Sequence, residues 1–537
     1  MHELAELLVA ADPNTGRSAG VLDPATGAPG LGLPATDPGA YQDLAATLSG
    51  WDREPTAPVG SHTWLEQGCI RAEVHLRQVE LEHARPWERA PYWYVESVGG
   101  ALDALDTSRL DDDTYRRAYL QLLEDCATFL TAGARTLDPQ EVPRDWAVMT
   151  LPAAAGLGVL LGQGLDAVDQ PLDEVTASRA RRLRDEACAA LERLVQRVRL
   201  LTQDGRGRWQ VGQDVFAHLL TRYHCLDLSP EQLWEQGWQE VAAAQESLTV
   251  MARHRDPHTP WAEQVARLKA ERTPAEHFLT SYRAETARAR ELTLEQDLAT
   301  VHDDQRCLVA PLPEFRRAGL PLGEMRTVAP YSPDRTSLFL ITPADLTAGP
   351  ERVAGHERDN CPTFIRSIVG HETYPGHHLQ SVHHQLGTDR DSFLRFFRTP
   401  LFVEGWGLYV EDVLTETVFG HDDQALFARR NWLWRCLRLV IDTGLHTGRL
   451  SKAEAVALLE ERTGMDPHMA GGEVDRYTRH DNPTYPSTYV LGRNALHDLR
   501  ARHQARFTSL GRFHDAVLAH GSPPTSLLGA VLDGESR

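Results

Sequence analysis

The sequence predicts a mainly α fold, a large helical protein with one small β-sheet beside its site. Helical periodicity begins near Thr63 and runs almost unbroken to the C-terminus. A single stretch, Thr336–Thr342, stands out as a strand, being short, apolar and bounded by turn signals. Turn chemistry gathers in residues 1–60 and again in 311–343, where Gly and Pro interrupt the pattern. These marks divide the chain into a partly irregular segment (1–60), a helical half (61–300) and a second helical half (301–537) that carries the sheet and the candidate site.

In chain order, Asp12–Gly16 and Gly27–Pro34 read as turns. Asp111, Asp112 and Asp113 precede the helical run Tyr115–Leu130, where acidic residues complement the positive end of a helix. Val175–Leu201 is amphipathic, with Arg and Glu on its wet side. Ser229-Pro230-Glu231-Gln232 is a helix start, with Ser as cap, Pro in the first turn and Gln three residues on. Trp234 and Trp238 share one face of that helix and are assigned to core. The strand 336–342 has two readings. It is either a buried apolar strand or an edge strand lining a cleft, able to pair with an extended peptide.

Bulk properties exclude some functions. The 537 residues carry a formal charge of −21, which argues against nucleic-acid binding, because that depends on Lys and Arg neutralising phosphates. Seven scattered cysteines without a C-x-x-C pair fit reduced thiols. The N-terminus lacks the basic and apolar regions of a signal peptide. The longest apolar run, around Ala153–Leu161, is too short for a bilayer. Together these predict a cytoplasmic protein without a membrane partner.

The chemistry concentrates in Gly370–Gln380, which reads Gly-His-Glu-Thr-Tyr-Pro-Gly-His-His-Leu-Gln. A hydrolytic zinc site needs three protein ligands, an open position and a base beside it. The familiar helical solution places two His at i and i+4 with a Glu after the first. Here position i+4 from His371 is Pro375, and the next histidines are His377 and His378. On a regular helix His377 lies about 120° round from His371, and His378 lies on the same face but roughly 10 Å along. Neither could share one ion. Pro375-Gly376 supplies the needed irregularity. A bulge absorbing two residues would put His377 where the i+4 ligand sits, with His378 as the alternative. Glu404, 27 residues beyond His377 in an apolar segment after Pro400, offers the third ligand from a neighbouring helix. Glu411, seven further on, is either a partner for a ligand His or part of a structural ion pair. Gly405 and Gly407 suggest close packing against the metal helix; Trp406 and Tyr409 are read as core. Gly355-His356-Glu357 lacks a following Gly-His and is read as noise.

The paired motifs, with Phe402–Glu411 as the second, resemble those of a bacterial family known as a domain of unknown function (DUF885), with His-Glu-x-x-Pro-Gly-His-His and Glu-Gly-Trp-Gly. That family is similar in turn to glutamate-liganded zinc peptidases. The resemblance implies a helical zinc-metallopeptidase-like fold with a deep cleft, His371, His377 and Glu404 as zinc ligands, and Glu372 as general base. It also implies a late motif. Arg476-Tyr477, Pro483, Tyr489 and Gly492 match it, but Thr484-Tyr485-Pro486 replaces the usual Gly-Gln-Ala. This places Arg476 and Tyr485 at the substrate.

The expected activity is that of a zinc hydrolase acting on a peptide or small amide. Tyr489 is the candidate oxyanion donor, with Tyr485 second. Arg493 is a candidate for a substrate carboxylate, or else a surface arginine, and His480 is a weaker candidate. Two alternatives stand beside the peptidase. One is an amide hydrolase or lyase acting on a small metabolite, as in secondary metabolism; the other is a non-catalytic helical binding protein.

Overall fold

The computed structural model describes residues 1–166, 172–317, 320, 322–419 and 423–534; at Thr107, Gln163, Gly164, Phe315 and Phe419 only the backbone is described. The fold is mainly helical with one three-stranded sheet. Residues 1–60 hold three short helices, Glu3–Ala11, Pro13–Ala19 and Pro38–Ser49. Asp12–Gly16, read as a turn, starts the second of them. Asp12 accepts from the Asn14 and Thr15 amides, and Pro13 sits at the first helical position, where its missing N–H costs nothing.

Four helices build the N-terminal layer: α1 (Pro91–Asp103), α2 (Asp113–Thr136), α3 (Arg144–Val159) and α4 (Glu174–Asp204). Asp112 caps α2 through the Thr114 and Tyr115 amides. The stretch Arg144–Gly162 is long and apolar enough to cross a membrane by length and composition, which corrects the shorter run read from the sequence. Its two charges sit together at the start, so the apolar stretch reaches further back than Ala153. In the fold it packs against α1 and α4, burying Trp146, Ala147, Ala154 and Leu157.

Helix α5 (Pro230–Arg255) opens on the expected Ser229–Gln232 capping box. Trp234 and Trp238 meet edge to face on it and pack on the core. Helix α6 (Phe278–Glu295) leads to β1 (Arg306–Pro311), β2 (Gly323–Arg326) and β3 (Thr336–Ile341). The order is β1-β3-β2, with β1 parallel and β2 antiparallel to β3, so Val309 and Met325 flank Phe339. Strand β3 is therefore central. Both its edges are paired, which rules out the reading of it as an edge strand open to a peptide.

The candidate site lies on α7 (Pro362–Glu372), α8 (His377–Gly387) and α9 (Pro400–Leu414), with α10 (Asp423–His446), α11 (Pro467–Tyr477) and α12 (Tyr485–His503) behind it. Helix α9 is apolar nearly all round because it separates two cores. Leu401 and Leu408 pack with α5 and α10, whereas Phe402, Trp406, Tyr409, Val410 and Val413 pack with α7 and the sheet. Its Glu404 is buried in that interior and must be paired. Helices α9 and α12 cross backbone to backbone. A Cβ on Gly405 would sit 2.5 Å from the Gly492 Cα, and one on Gly492 would sit 1.9 Å from the Leu401 carbonyl oxygen. Only glycine allows this approach, which brings Tyr485 and Tyr489 beside Glu404.

Candidate metal centre

The expected bulge in one helix is a complete break between two. Helix α7 ends where Thr373 leaves helical backbone (φ −110°, ψ −87°), and α8 begins at His377. Pro375, in a cis peptide bond with Tyr374, has no N–H to continue the ladder. A Cβ on Gly376 would lie 1.8 Å from the His371 carbonyl oxygen, so the chain folds back over the end of α7 only with glycine there. Trp406 Nε1 donates to the Pro375 carbonyl at 2.9 Å and ties the break to α9. The result sets the His371 and His377 rings at 83° with centroids 4.7 Å apart.

Glu404 completes the group. Its Oε2 is 3.7 Å from His371 Nε2 and 3.6 Å from His377 Nε2, and all three residues are buried. A four-coordinate ion with bonds of about 2.0–2.2 Å holds its ligand atoms roughly 3.3–3.6 Å apart. The donor set and its spacing thus fit a divalent cation, and the three residues form a possible metal-binding site. Charge agrees. Burial works against a positive His371, yet Glu404 and Glu411 outweigh it and carry its pKa up to about 10. A pocket that so favours a proton favours a cation.

Neighbouring groups fix the donors. Glu411 Oε1 accepts from His371 Nδ1 at 2.8 Å, leaving Nε2 with its lone pair toward the site, and Ser367 Oγ donates to Glu411 Oε2 at 3.2 Å. Tyr485 donates its hydroxyl to Glu404 Oε1. Gly407 leaves room for the imidazoles, since a Cβ there would lie 2.6 Å from His371 Cε1 and 2.9 Å from His377 Cε1. Glu372, at the end of α7, is half-buried and has no hydrogen-bond partner among the described residues. Burial and the Glu372 charge push the Cys307 thiol on β1 up to about 12. The Tyr489 ring lies nearly parallel to His371, 6.4 Å away. Its hydroxyl has no hydrogen-bond partner among the described residues.

Other expected residues fall elsewhere. His378 turns away from the group; Nδ1 meets Ser337 Oγ at 2.7 Å and Nε2 meets the Tyr374 hydroxyl at 3.0 Å, and burial pulls its pKa down to about 3. It is not one of the converging ligands and hydrogen-bonds to none of them. Tyr485, expected at the substrate, gives its hydroxyl to Glu404. Arg493 lies over the Trp432 ring and donates its Nε to Asp412 at 2.6 Å, so its charge is already answered. Arg476 pairs with Glu473, and His480 meets the Tyr92 hydroxyl at 2.9 Å. His356, of the motif read as noise, stacks on Phe278 away from the site. Sequence reasoning missed Arg435 and Arg438, buried on α10 beside Tyr489. Their signal was two arginines three apart inside the apolar run Trp432–Val440.

Two solved structures share the fold over almost the whole of both chains. A "putative lipoprotein of unknown function" from Shewanella oneidensis is 16% identical, covering 98% of this chain and 97% of its own, with a TM-score of 0.75. A "putative lipoprotein" from Colwellia psychrerythraea is 18% identical, covering 99% and 98%, with a TM-score of 0.78. An oligoendopeptidase F-type protein from Bacillus anthracis superposes at 10% identity and a TM-score of 0.25, too loosely for anything to be read from it. The cytoplasmic location expected from the cysteines and the N-terminus is withdrawn. Both proteins of this fold bear a name given to proteins exported and anchored at a membrane surface, so free thiols and an acidic surface do not settle location here. No curated protein matches the chain. Residues 41–532 match the family described as bacterial protein of unknown function, DUF885, and the chain belongs to that family.

Proposed function

We propose that this protein is a zinc-dependent hydrolase, a metallopeptidase that cleaves peptide or amide bonds. One observation carries the proposal: two imidazoles and a carboxylate converge, and a second carboxylate, the unpaired Glu372, directly follows the first ligand in the chain. Two histidines and a glutamate suit zinc among the common divalent ions. When bound, the ion supplies Lewis-acid polarisation of a carbonyl and makes a water more acidic.

The chain's own groups do the rest. Glu372 takes a proton from the attacking water as its oxygen joins the carbonyl carbon. It gives that proton to the amide nitrogen as the C–N bond breaks, work worth about 10²–10⁴-fold. Tyr489 donates its hydroxyl to the oxyanion that forms between these steps. Glu411 and Tyr485 hold His371 and Glu404 in register throughout.

A structural zinc site has no use for Glu372, which favours catalysis over a scaffold role. Elemental analysis of purified protein should find about one zinc per chain, lost in His371→Ala. Glu372→Gln should keep the metal and lose hydrolysis by about 10²–10⁴-fold. If Glu372→Gln leaves every measured activity unchanged, the catalytic reading fails. The replaced 484–486 segment motivates the second reading, an amide hydrolase for a small metabolite. Zinc-loaded protein that cleaves nothing in a peptide library would favour it.

A further inference from the structure

Beyond Tyr489, away from the metal triad, the interior of the fold carries more positive charge than it answers. Arg435 is 8% exposed, and its guanidinium has no hydrogen bond or ion pair among the described residues. It lies over the Trp434 ring at 4.3 Å and the Tyr489 ring at 5.2 Å. Arg438, 2% exposed, lies 4.7 Å and 4.5 Å from the same two rings. One of its nitrogens reaches Glu473 at 3.2 Å, while Nε and the other terminal nitrogen have no partner. Arg476, at the rim, shares Glu473 at 3.1 Å. Burial works against charge on Glu473, but Arg476 and Arg438 hold its pKa down to about 2. Arg438 and Arg476 therefore share one carboxylate and Arg435 is paired with none, in a chain whose formal charge is −21.

A buried cation without a partner is costly, and native folds keep one where a ligand answers it. The arrangement suits a planar anion. Trp434 lies against both guanidinium groups, and the free N–H groups remain to be shared by two oxygens. Position limits the ligand. Tyr489 touches the cluster, and its ring centroid lies 6.4 Å from that of His371. An extended residue spans about 3.3–3.6 Å, so in a substrate bound extended an anion gripped here lies within about three residues of an amide bond at the triad.

We propose that Arg435, Arg438 and Arg476 form a carboxylate-binding pocket that selects substrates bearing a carboxylate within a few residues of the cleaved bond. This rests on the hydrolase reading for its role but not for its binding. Arg493, the carboxylate candidate of the sequence, is occupied by Asp412 and takes no part. The carboxylate comes either from a free C-terminus or from an acidic side chain.

Three probes separate these sources: N-acetylated Ala-Phe-Ala with a free C-terminus, the same peptide as its C-terminal amide, and amidated Ala-Phe-Glu. Binding is measured by calorimetry on zinc-loaded full-length Glu372→Gln protein, with and without Arg435→Met. The free acid, the amidated Glu peptide or both should bind about 10- to 100-fold tighter than the plain amide, and Arg435→Met should remove that preference. A tighter free acid assigns an exopeptidase pocket; a tighter Glu peptide assigns an acidic side-chain pocket. Thermal unfolding guards against a folding defect. Removing an unpaired buried cation should leave the midpoint of Arg435→Met unchanged or higher, whereas a structural arginine would lower it. Equal binding of all three probes, no binding of any, or an undiminished preference in Arg435→Met overturns the pocket. Cleavage reports separately. Arg435-dependent binding with no cleavage by wild-type protein retains the pocket and defeats the peptidase reading, and cleavage that does not distinguish the three probes does the reverse.

Discussion

Gly407→Ala tests whether the triad is built around an ion. The new Cβ would stand 2.6 Å from His371 Cε1, 2.8 Å from its Nε2 and 2.9 Å from His377 Cε1. Carbon contacts settle at about 3.5–4.0 Å, so each ring must withdraw by nearly 1 Å. His371 cannot swing freely, because Glu411 holds its Nδ1 at 2.8 Å. Two terms act on folding. Crowding a packed interior costs about 1–3 kcal/mol, and replacing a mid-helix Gly by Ala returns about 1 kcal/mol. Stability should thus fall by no more than about 2 kcal/mol. Metal affinity should suffer more selectively, because both Nε2 atoms must come within about 2 Å of one ion. A loss of about 10- to 100-fold, roughly 1.4–2.7 kcal/mol, is expected. Competitive zinc titration against a chromophoric chelator measures the affinity, and denaturant unfolding of the metal-free protein measures the fold. Zinc bound as tightly by Gly407→Ala as by wild type would refute the shared-ion geometry.

Glu411→Gln should weaken zinc binding about 10- to 100-fold with the fold intact, because an amide no longer fixes the His371 tautomer; the same chelator titration reads it, and an unchanged affinity would make the contact merely structural. Asp442 provides a pH test independent of any metal. Burial raises its carboxyl to about 7, despite donation from Ser487 and the Thr484 and Ser487 amides. The folded pKa exceeds the unfolded value near 4, so folding binds the proton more tightly. Stability from this group is therefore full below about pH 4 and lost as pH rises toward 7, by about 4 kcal/mol. Asp442→Asn should flatten the pH dependence of the unfolding free energy across that window. Equal slopes in the two proteins would contradict the raised pKa.

What the sequence made legible was local or carried by a single strong constraint. The Pro375-Gly376 pair announced that a regular helix could not run through the site, and the apolar segment after Pro400 offered Glu404 the only interior it could enter. Contacts between distant elements were not legible. Tyr485 and Glu404 are 81 residues apart, as are Arg493 and Asp412, and no local pattern reports which partner a polar side chain will meet. The same ignorance left the strand at 336 without an assigned neighbour, so its central position came only with the register to β1 and β2. Arg435 and Arg438 were visible as charges in an apolar run, yet their meaning depends on Tyr489 arriving from another helix.

Thr484 shows how a departure from a family pattern can be misplaced. It stands where glycine is usual, and its backbone is left-handed, with φ +71°. An L-residue other than glycine pays about 1–2 kcal/mol for that conformation. Thr484 offsets it. Its Oγ1 meets His224 Nε2 at 2.8 Å in a buried contact, and its amide donates to Asp442. Hydrogen bonds of this kind contribute about 1 kcal/mol each and leave costly orphans when removed. Thr484 thus holds the left-handed turn that launches α12, the helix that carries Tyr485 and Tyr489. Because Tyr485 then donates to Glu404, the altered segment acts first on the metal side. The proposed pocket places selectivity for substrate beside Tyr489, where the arginines of α10 lie.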